Sequence, residues 1–312
     1  MKKTKIFIDG KEGTTGLRIF ERLSNREDIE LITLSDELRK DTSARKEALN
    51  TCDIAFLCLP DAAAKEAVAL IENPDVRVID ASTAHRTDAG WDYGFPELSA
   101  EHFEKIKNSK RVANPGCHAS GFIALVYPLV AAGILSADAL LTCHSITGYS
   151  GGGKKMIAEY ENTSRSNNLE APRQYGLTQE HKHLKEMKAV CGLENAPVFC
   201  PIVSDYYSGM AVTVPLFKAN LASGKTAEDI AEVYKNLYKD GFVRYTEETG
   251  KDAMLCANAV STKDYMEVFV KGNEERILLI ARFDNLGKGA SGAAVECMNI
   301  MIGIDPATGL SL

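Results

Sequence analysis

Residues 5–23 constrain the fold of this chain more than any other stretch. Lys5-Ile6-Phe7-Ile8-Asp9 is an apolar run of strand length, Gly10-Lys11-Glu12-Gly13-Thr14-Thr15-Gly16 follows at once, and Leu17, Phe20 and Leu23 then recur at helical spacing. Strand, glycine loop and helix in that order open a dinucleotide-binding unit. The glycines let the backbone turn tightly and approach a pyrophosphate, and the free N–H groups at the helix start receive its charge. The spacing is G-x-x-G-x-x-G rather than G-x-G-x-x-G, a weak signature alone, so the elements after it carry the argument.

Those elements agree. Glu30-Leu31-Ile32-Thr33-Leu34, Ile54-Ala55-Phe56-Leu57-Cys58-Leu59 and Val76-Arg77-Val78-Ile79-Asp80 read as further strands, with a crossover helix over 62–72. Continuous apolar strands alternating with helices predict a parallel sheet covered on both faces: an α/β fold with a Rossmann-type doubly wound sheet. Ligands in such sheets sit at the carboxyl ends of strands, here Leu59-Pro60-Asp61 and Asp80-Ala81-Ser82-Thr83. Gly10, Gly13, Thr14, Thr15, Gly16, Leu59 and Pro60 are therefore candidate cofactor contacts. The second strand ends in Ser35-Asp36 with Arg39 close behind. An acidic residue there suits the ribose hydroxyl of NAD, whereas Ser35 and Arg39 suit the 2′-phosphate of NADP(H) with Asp36 turned away, and the latter is the reading taken.

Asn114-Pro115-Gly116-Cys117-His118 follows the strand-like Arg111-Val112-Ala113, and an apolar helical run begins at Cys117 and reaches about Ala132. A cysteine in the first turn of a helix faces unpaired N–H groups and the positive end of the dipole, which favours the thiolate and so a nucleophile. The plainer possibility is a small buried apolar residue.

From about Leu140 to Phe283 the chain becomes strand-rich, with runs at 141–146, 198–203, 210–216 and 266–270 and an amphipathic helix over 226–238. These predict an α+β substrate and dimerisation domain with a mixed sheet, whose free face supports a homodimer or homotetramer. The expected domains are 1–116, completed by a C-terminal helix within 285–312, and 117–284.

Bulk properties exclude several classes. The net charge is −7 and no long Lys/Arg run occurs, so nucleic acid and anionic membrane are not expected partners. The basic start is cut off by Asp9-Gly10, too early for a signal-peptide core, and a cytoplasmic location is expected. Eight cysteines stand singly without a C-x-x-C pair, so neither zinc nor a disulfide framework is expected.

Among the six histidines, His181 and His183 with Glu186 beyond offer an imidazole and a carboxylate orienter for an activated cysteine. His118 lies about 100° around the helix from Cys117 and makes a poor base. His102, in a charged helical stretch, reads as a surface residue. Arg86, Lys154 and Lys155 are cationic candidates for a carboxylate or phosphate, with Ser145 and Ser150 as additional hydrogen-bond partners.

Taken in order, the glycine loop, Asp80-Ala81-Ser82-Thr83-Ala84-His85-Arg86, Tyr93-Gly94-Phe95-Pro96-Glu97-Leu98 and Asn114-Pro115-Gly116-Cys117 resemble the short form of the N-acetyl-gamma-glutamyl-phosphate reductase family. The likeness continues through 148–155, His181-Lys182-His183-Leu184-Lys185-Glu186 and Asp284-Asn285-Leu286-Gly287-Lys288-Gly289, and so covers nearly the whole chain. Lys185, where the family often has proline, is one departure.

The resemblance implies NADPH-dependent reduction of an acyl phosphate to an aldehyde with release of inorganic phosphate, within arginine biosynthesis. Cys117 would form a thioester, hydride would reach its carbonyl, and collapse of the thiohemiacetal would call for a proton donor. It favours His181 as the acid–base and His183 as an anion contact, with the order open from the residues alone. It places Asn285 near the nicotinamide and makes Ser82, Arg86, Asn114, Lys154, Lys155 and Glu186 substrate contacts. The alternatives are a reductase of aspartyl or aminoadipyl phosphate, since one methylene is worth only about 1–3 kcal/mol, and a catalytically silent NADP-binding regulator.

Overall fold

The apolar runs at the front of the chain lie side by side in the computed structural model, which describes residues 3–239, 241–249 and 254–312. The first of two units holds residues up to Pro96, then Ala100–Pro115 and Ala290–Leu310. Its strands β1 (Thr4–Asp9), β2 (Ile29–Ile32), β3 (Ile54–Leu57), β4 (Arg77–Asp80), β5 (Asp92–Tyr93) and β6 (Arg111–Ala113) form one sheet in the order β2-β1-β3-β4-β6-β5. Every pairing is parallel.

Alternate residues of these strands feed opposite cores, as a two-residue period requires. Ile6, Ile8, Phe56, Ile79 and Val112 pack with Ile19 and Leu23 of α1 (Thr14–Leu23), Ile106 of α4 (Ala100–Asn108), and Ala294 and Met298 of α9 (Gly292–Ile302). Phe7, Ala55, Leu57 and Val78 pack with Leu49 of α2 (Thr42–Thr51) and Ala64 and Ala67 of α3 (Asp61–Ala69). Burial on both faces explains why these strands read as unbroken apolar runs. Strand order reverses between β1 and β3, which opens the crevice where such sheets bind ligands.

The second unit holds Glu97–Ser99, Gly116–Gly289 and Ser311–Leu312. The chain thus leaves the first unit after Pro115 and returns at Ala290, which puts Asn285 in the second unit. Strands β7 (Thr142–Gly148), β8 (Arg173–Gln174), β9 (Val198–Ser204), β10 (Met210–Phe217), β11 (Val243–Tyr245), β12 (Met266–Gly272) and β13 (Arg276–Phe283) form a mixed sheet ordered β11-β12-β13-β10-β7-β9-β8. Three further helices belong here: α6 (Gly153–Glu161), α7 (His183–Val190) and α8 (Ala227–Leu237).

Helix α5 (Cys117–Ala131) is apolar almost all round and is the buried centre of this unit, with Ala119 through Val126 all buried. Pro128 sits inside it and has no N–H for the carbonyl of Ala124. The Tyr238 hydroxyl donates to that carbonyl at 2.8 Å, and Tyr234 of α8 donates to the next one, Leu125. A tolerated proline is thus a pair of tyrosines 110 or so residues later.

Candidate active site

In the first unit the turn after β1 is closed by the Gly13 N–H donating to the Gly10 carbonyl at 2.9 Å, and Gly13 caps α1. Gly10 has φ +86°, and a Cβ there would lie 2.3 Å from the Cys58 carbonyl oxygen, so only glycine lets this loop approach the end of β3. Beside it lies a cavity of about 550 Å³ lined by Gly10, Lys11, Glu12, Thr33, Leu34, Asp36, Arg39, Lys40 and Leu59, among others. The hydroxyl of Thr14, the first residue of α1, is buried with no hydrogen-bond partner among the described residues. An orphaned hydroxyl at a helix start, beside a turn where Gly10 and Gly16 leave no room for a Cβ, fits a pyrophosphate, so the residues present fit a dinucleotide.

The adenosine end departs from expectation. Asp36 is not turned away: it lines the cavity and pairs with Arg39 at 3.5 Å. Ser35 does not line it, and its hydroxyl instead binds Glu37, holding that carboxyl below its usual range. Pro60 is the N-cap of α3 and lies outside the cavity lining, because the strand has already turned into the helix. At the end of β1 the buried Asp9 is neutralised by Arg45 at 2.8 Å.

At the end of β4 the first unit builds a compact polar turn. Asp80 is fully buried; it accepts from the Ser82 N–H at 2.8 Å and the Ser82 hydroxyl at 2.7 Å, and meets His85 Nδ1 at 2.6 Å. The His85 ring stacks on Trp91 with centroids 4.2 Å apart. The Ser82 hydroxyl expected to meet substrate therefore serves the turn. The same turn carries Arg86, whose Nε and Nη2 donate to the carbonyls of Asn114 (3.0 Å) and Ala81 (3.2 Å). Asn114 is buried; its Nδ2 donates to the Ala290 carbonyl, and its Oδ1 has no partner among the described residues.

In the second unit Cys117 is the first residue of α5 behind the N-cap Gly116, with no acidic residue in the opening turn. The carboxylate of Glu186, buried on α7, accepts the Gly116 N–H at 2.8 Å. This corrects its expected role as a substrate contact for that oxygen: Glu186 anchors the peptide unit ahead of the cysteine. On the other side, a Cβ on Gly289 would stand 3.2 Å from the Cys117 Cβ, so a glycine there leaves the thiol its place. Next in the chain, Lys288 is buried and paired with Glu97 at 2.6 Å.

Around the head of α5 gather His118, His181, His183, Tyr175 and Phe199, with ring centroids 4.7 Å apart for His181 and His183, 5.6 Å for His118 and His183, and 6.1 Å for His118 and Tyr175. His181 Nδ1 accepts the His183 N–H at 3.3 Å, which leaves the proton of a neutral His181 on Nε2. Burial, then the Lys182 charge, hold its pKa below the ordinary histidine value. Burial foremost, then the charge of Cys117, push the Tyr175 hydroxyl up. Sequence reasoning missed Tyr175 because it stands in an irregular segment after β8 with no motif around it.

His118, rejected as a base, is buried, with Nδ1 2.7 Å from the Ser145 hydroxyl and Nε2 2.7 Å from the Tyr175 hydroxyl. Burial, then the His181 charge, push its pKa down to about 3. Its folded pKa lies below the unfolded value near 6.5, so its neutral form stabilises the fold above that pH. That stability is lost as pH falls from about 6.5 toward 3, by up to about 1.4 kcal/mol per pH unit. Urea midpoints over this window are expected to fall less steeply in His118→Gln than in the parent; equal slopes would rule the group out.

Other expected residues lie elsewhere. Lys154 and Lys155 are exposed in the first turn of α6. Asn285 is buried, its Oδ1 accepting the Gly209 N–H at 2.8 Å and its Nδ2 donating to Ser150 at 3.0 Å, so it braces the glycine-rich turn before α6. His102, expected at the surface, is half-buried, and burial lowers its pKa. Among the described residues no three His, Cys, Asp or Glu side chains group as a metal site, and no helix is long and apolar enough to cross a membrane.

Residues 5–106 match the semialdehyde dehydrogenase NAD binding domain and residues 117–285 the semialdehyde dehydrogenase dimerisation domain. N-acetyl-gamma-glutamyl-phosphate reductase 2 of Nostoc sp. is 44% identical over 99% of this chain and 100% of its own length. The N-acetyl-gamma-glutamyl-phosphate reductase of Sinorhizobium medicae is 45% identical over 96% of this chain and 99% of its own. The chain belongs to the N-acetyl-gamma-glutamyl-phosphate reductase family. Membership agrees with the α/β fold with its parallel Rossmann-type sheet and mixed second sheet. Among solved structures, aspartate semialdehyde dehydrogenase II of Vibrio cholerae aligns with a TM-score of 0.72 at 17% identity, over 97% of this chain and 99% of its own. The enzyme of Candida albicans, solved with NADP, gives 0.67 at 14%, over 96% and 99%. At those identities the likeness is one of fold.

Proposed function

We propose that this protein reduces N-acetyl-L-glutamyl 5-phosphate to N-acetyl-L-glutamate 5-semialdehyde and phosphate in arginine biosynthesis, with NADPH as reductant. The observation that carries the reading is Cys117 at the head of α5, followed directly by His118, around which His181, His183 and Tyr175 gather. The names of the full-length relatives supply the substrate.

Cys117 sulfur attacks the acyl carbon, the C–O bond to phosphate breaks, and a thioester remains on the cysteine. The helix start and Gly116, fixed by Glu186, hold the sulfur for that attack. His181, neutral and bearing its proton on Nε2, donates a hydrogen bond to the oxygen on which negative charge develops. A dinucleotide held by the Gly10–Gly16 loop would supply the hydride that reduces the thioester carbonyl. The resulting oxyanion re-forms the carbonyl, the C–S bond breaks, and Cys117 leaves as thiolate. Arg86, on the Asp80–His85 turn, is assigned to an anionic group of the substrate. Arg39 and Lys40 on the cavity wall support NADPH over NADH, and Arg39, paired with Asp36 here, would hold the 2′-phosphate.

The test is to mix the protein with N-acetyl-glutamate semialdehyde, phosphate and NADP and follow the reduced cofactor by absorbance. Phosphate-dependent reduction supports the reading. Its absence, with the aspartyl or aminoadipyl semialdehyde turned over instead, would reassign the substrate.

Assembly as a homodimer or homotetramer is assigned to the sheet face opposite α5, which presents Ile146, Ile202 and Ile280 half-buried and Val198 and Leu278 exposed. Ile280→Asp is expected to shift the sedimentation coefficient to that of a monomer. An unchanged oligomer would move the interface elsewhere.

A further inference from the structure

His118 has no part in the reaction as derived, although it is buried at the centre of the site with both ring nitrogens engaged. Which nitrogen carries the proton follows from counting donors. Ser145 lies on β7 and is fully buried, and His118 Nδ1 is the one partner of its hydroxyl among the described residues. A buried O–H proton with no acceptor costs about 1–3 kcal/mol, whereas a hydroxyl oxygen that donates keeps its lone pairs unused at far lower cost. Ser145 therefore donates to Nδ1.

The imidazole is neutral, so its single proton is on Nε2, and Nε2–H donates to the Tyr175 oxygen at 2.7 Å. With that lone pair taken from the His118 side, the Tyr175 proton cannot point back at His118. Tyr175 is half-buried and hydrogen-bonded to the residue that directly follows Cys117 at the head of α5. We propose that Ser145 and His118 form a relay that fixes Tyr175 as a hydrogen-bond donor toward the acyl group carried on Cys117, which makes His118 a positioning residue. The opposite tautomer would turn Tyr175 into an acceptor facing an anionic centre, the arrangement that repels the developing charge.

The proposal rests on the reductase reading for the identity of the acyl group, but its first test does not. Nitrogen-15 NMR of histidine-labelled protein, with the His118 signals assigned by their loss in His118→Asn, is expected to show Nδ1 as the proton-free nitrogen and Nε2 as the proton-bearing one. The reverse pattern overturns the relay whether or not the protein is active.

Kinetics give the second arm. Tyr175→Phe is expected to lower kcat about 10²-fold, the usual scale for one lost donor to an oxyanion. His118→Asn keeps a partner for Ser145 but is too short to reach Tyr175, so it should lose a similar factor and add nothing to Tyr175→Phe in the double variant. His118→Gln places an amide N–H where Nε2–H was and should recover about tenfold over His118→Asn. Additive losses, or no difference between Asn and Gln, would reduce His118 to packing. An inactive parent enzyme with the predicted tautomer would sink the reductase reading and leave the relay standing.

Discussion

Cys117→Ser is expected to lower kcat by at least about 10⁴-fold, the scale seen when a covalent nucleophile is removed from a site whose other parts remain. A serine hydroxyl has nearly the shape of the thiol but stays protonated at neutral pH, so helix position alone cannot make it a comparable nucleophile. NADP(H) affinity should be unchanged, since the glycine loop and its cavity belong to the other unit. Stopped-flow reduction and cofactor titration of the variant make the comparison, and activity within tenfold of the parent would remove Cys117 from the chemistry. Thiol chemistry gives an independent view. Burial pushes Cys52 to about 12 and raises Cys58, Cys143 and Cys191 well above the ordinary thiol value. Cys117 should therefore alkylate before these four at neutral pH and be protected by substrate. The exposed Cys256 serves as the accessible control.

Gly10→Ala should have the opposite signature. The new Cβ would meet the Cys58 carbonyl oxygen at 2.3 Å and force a left-handed conformation on alanine, so β1 and β3 must separate or the loop must move. Left-handed strain alone costs about 1–3 kcal/mol, and a displaced loop no longer presents its N–H groups and the helix start to a phosphate. The expected outcome is loss of most NADP(H) affinity and a lower thermal midpoint, with Cys117 still reactive toward an alkylating agent. Parent-like cofactor binding with an unchanged midpoint would mean that the loop does not carry the pyrophosphate.

The parts of this molecule that local physics controls were legible in the chain. Strand, glycine loop and helix at 5–23, the unbroken apolar strands after them, and the cysteine opening an apolar helix each depend on neighbours a few residues away, and each lies where its pattern puts it. The second sheet was legible as strands but not as an order. Its neighbours β13-β10-β7-β9 come from chain positions far apart, so no local pattern sets their order.

Roles that depend on distant partners were not legible. Glu186 meets Gly116 across 70 residues, Ser145 meets His118 across 27, and Tyr175 meets it across 57. Asp36 and Ser35 exchanged expected positions because one side chain found Arg39 and the other Glu37. Ser82 and Asn285 were read as ligand contacts, yet their polar atoms serve Asp80, Gly209 and Ser150. By itself the sequence determined that a dinucleotide unit precedes a cysteine at a helix start, because backbone conformation and hydrophobic period are local. Only the tertiary structure decided which polar groups hold that cysteine and which way their protons face, because a buried donor must find its acceptor wherever the packing brings one.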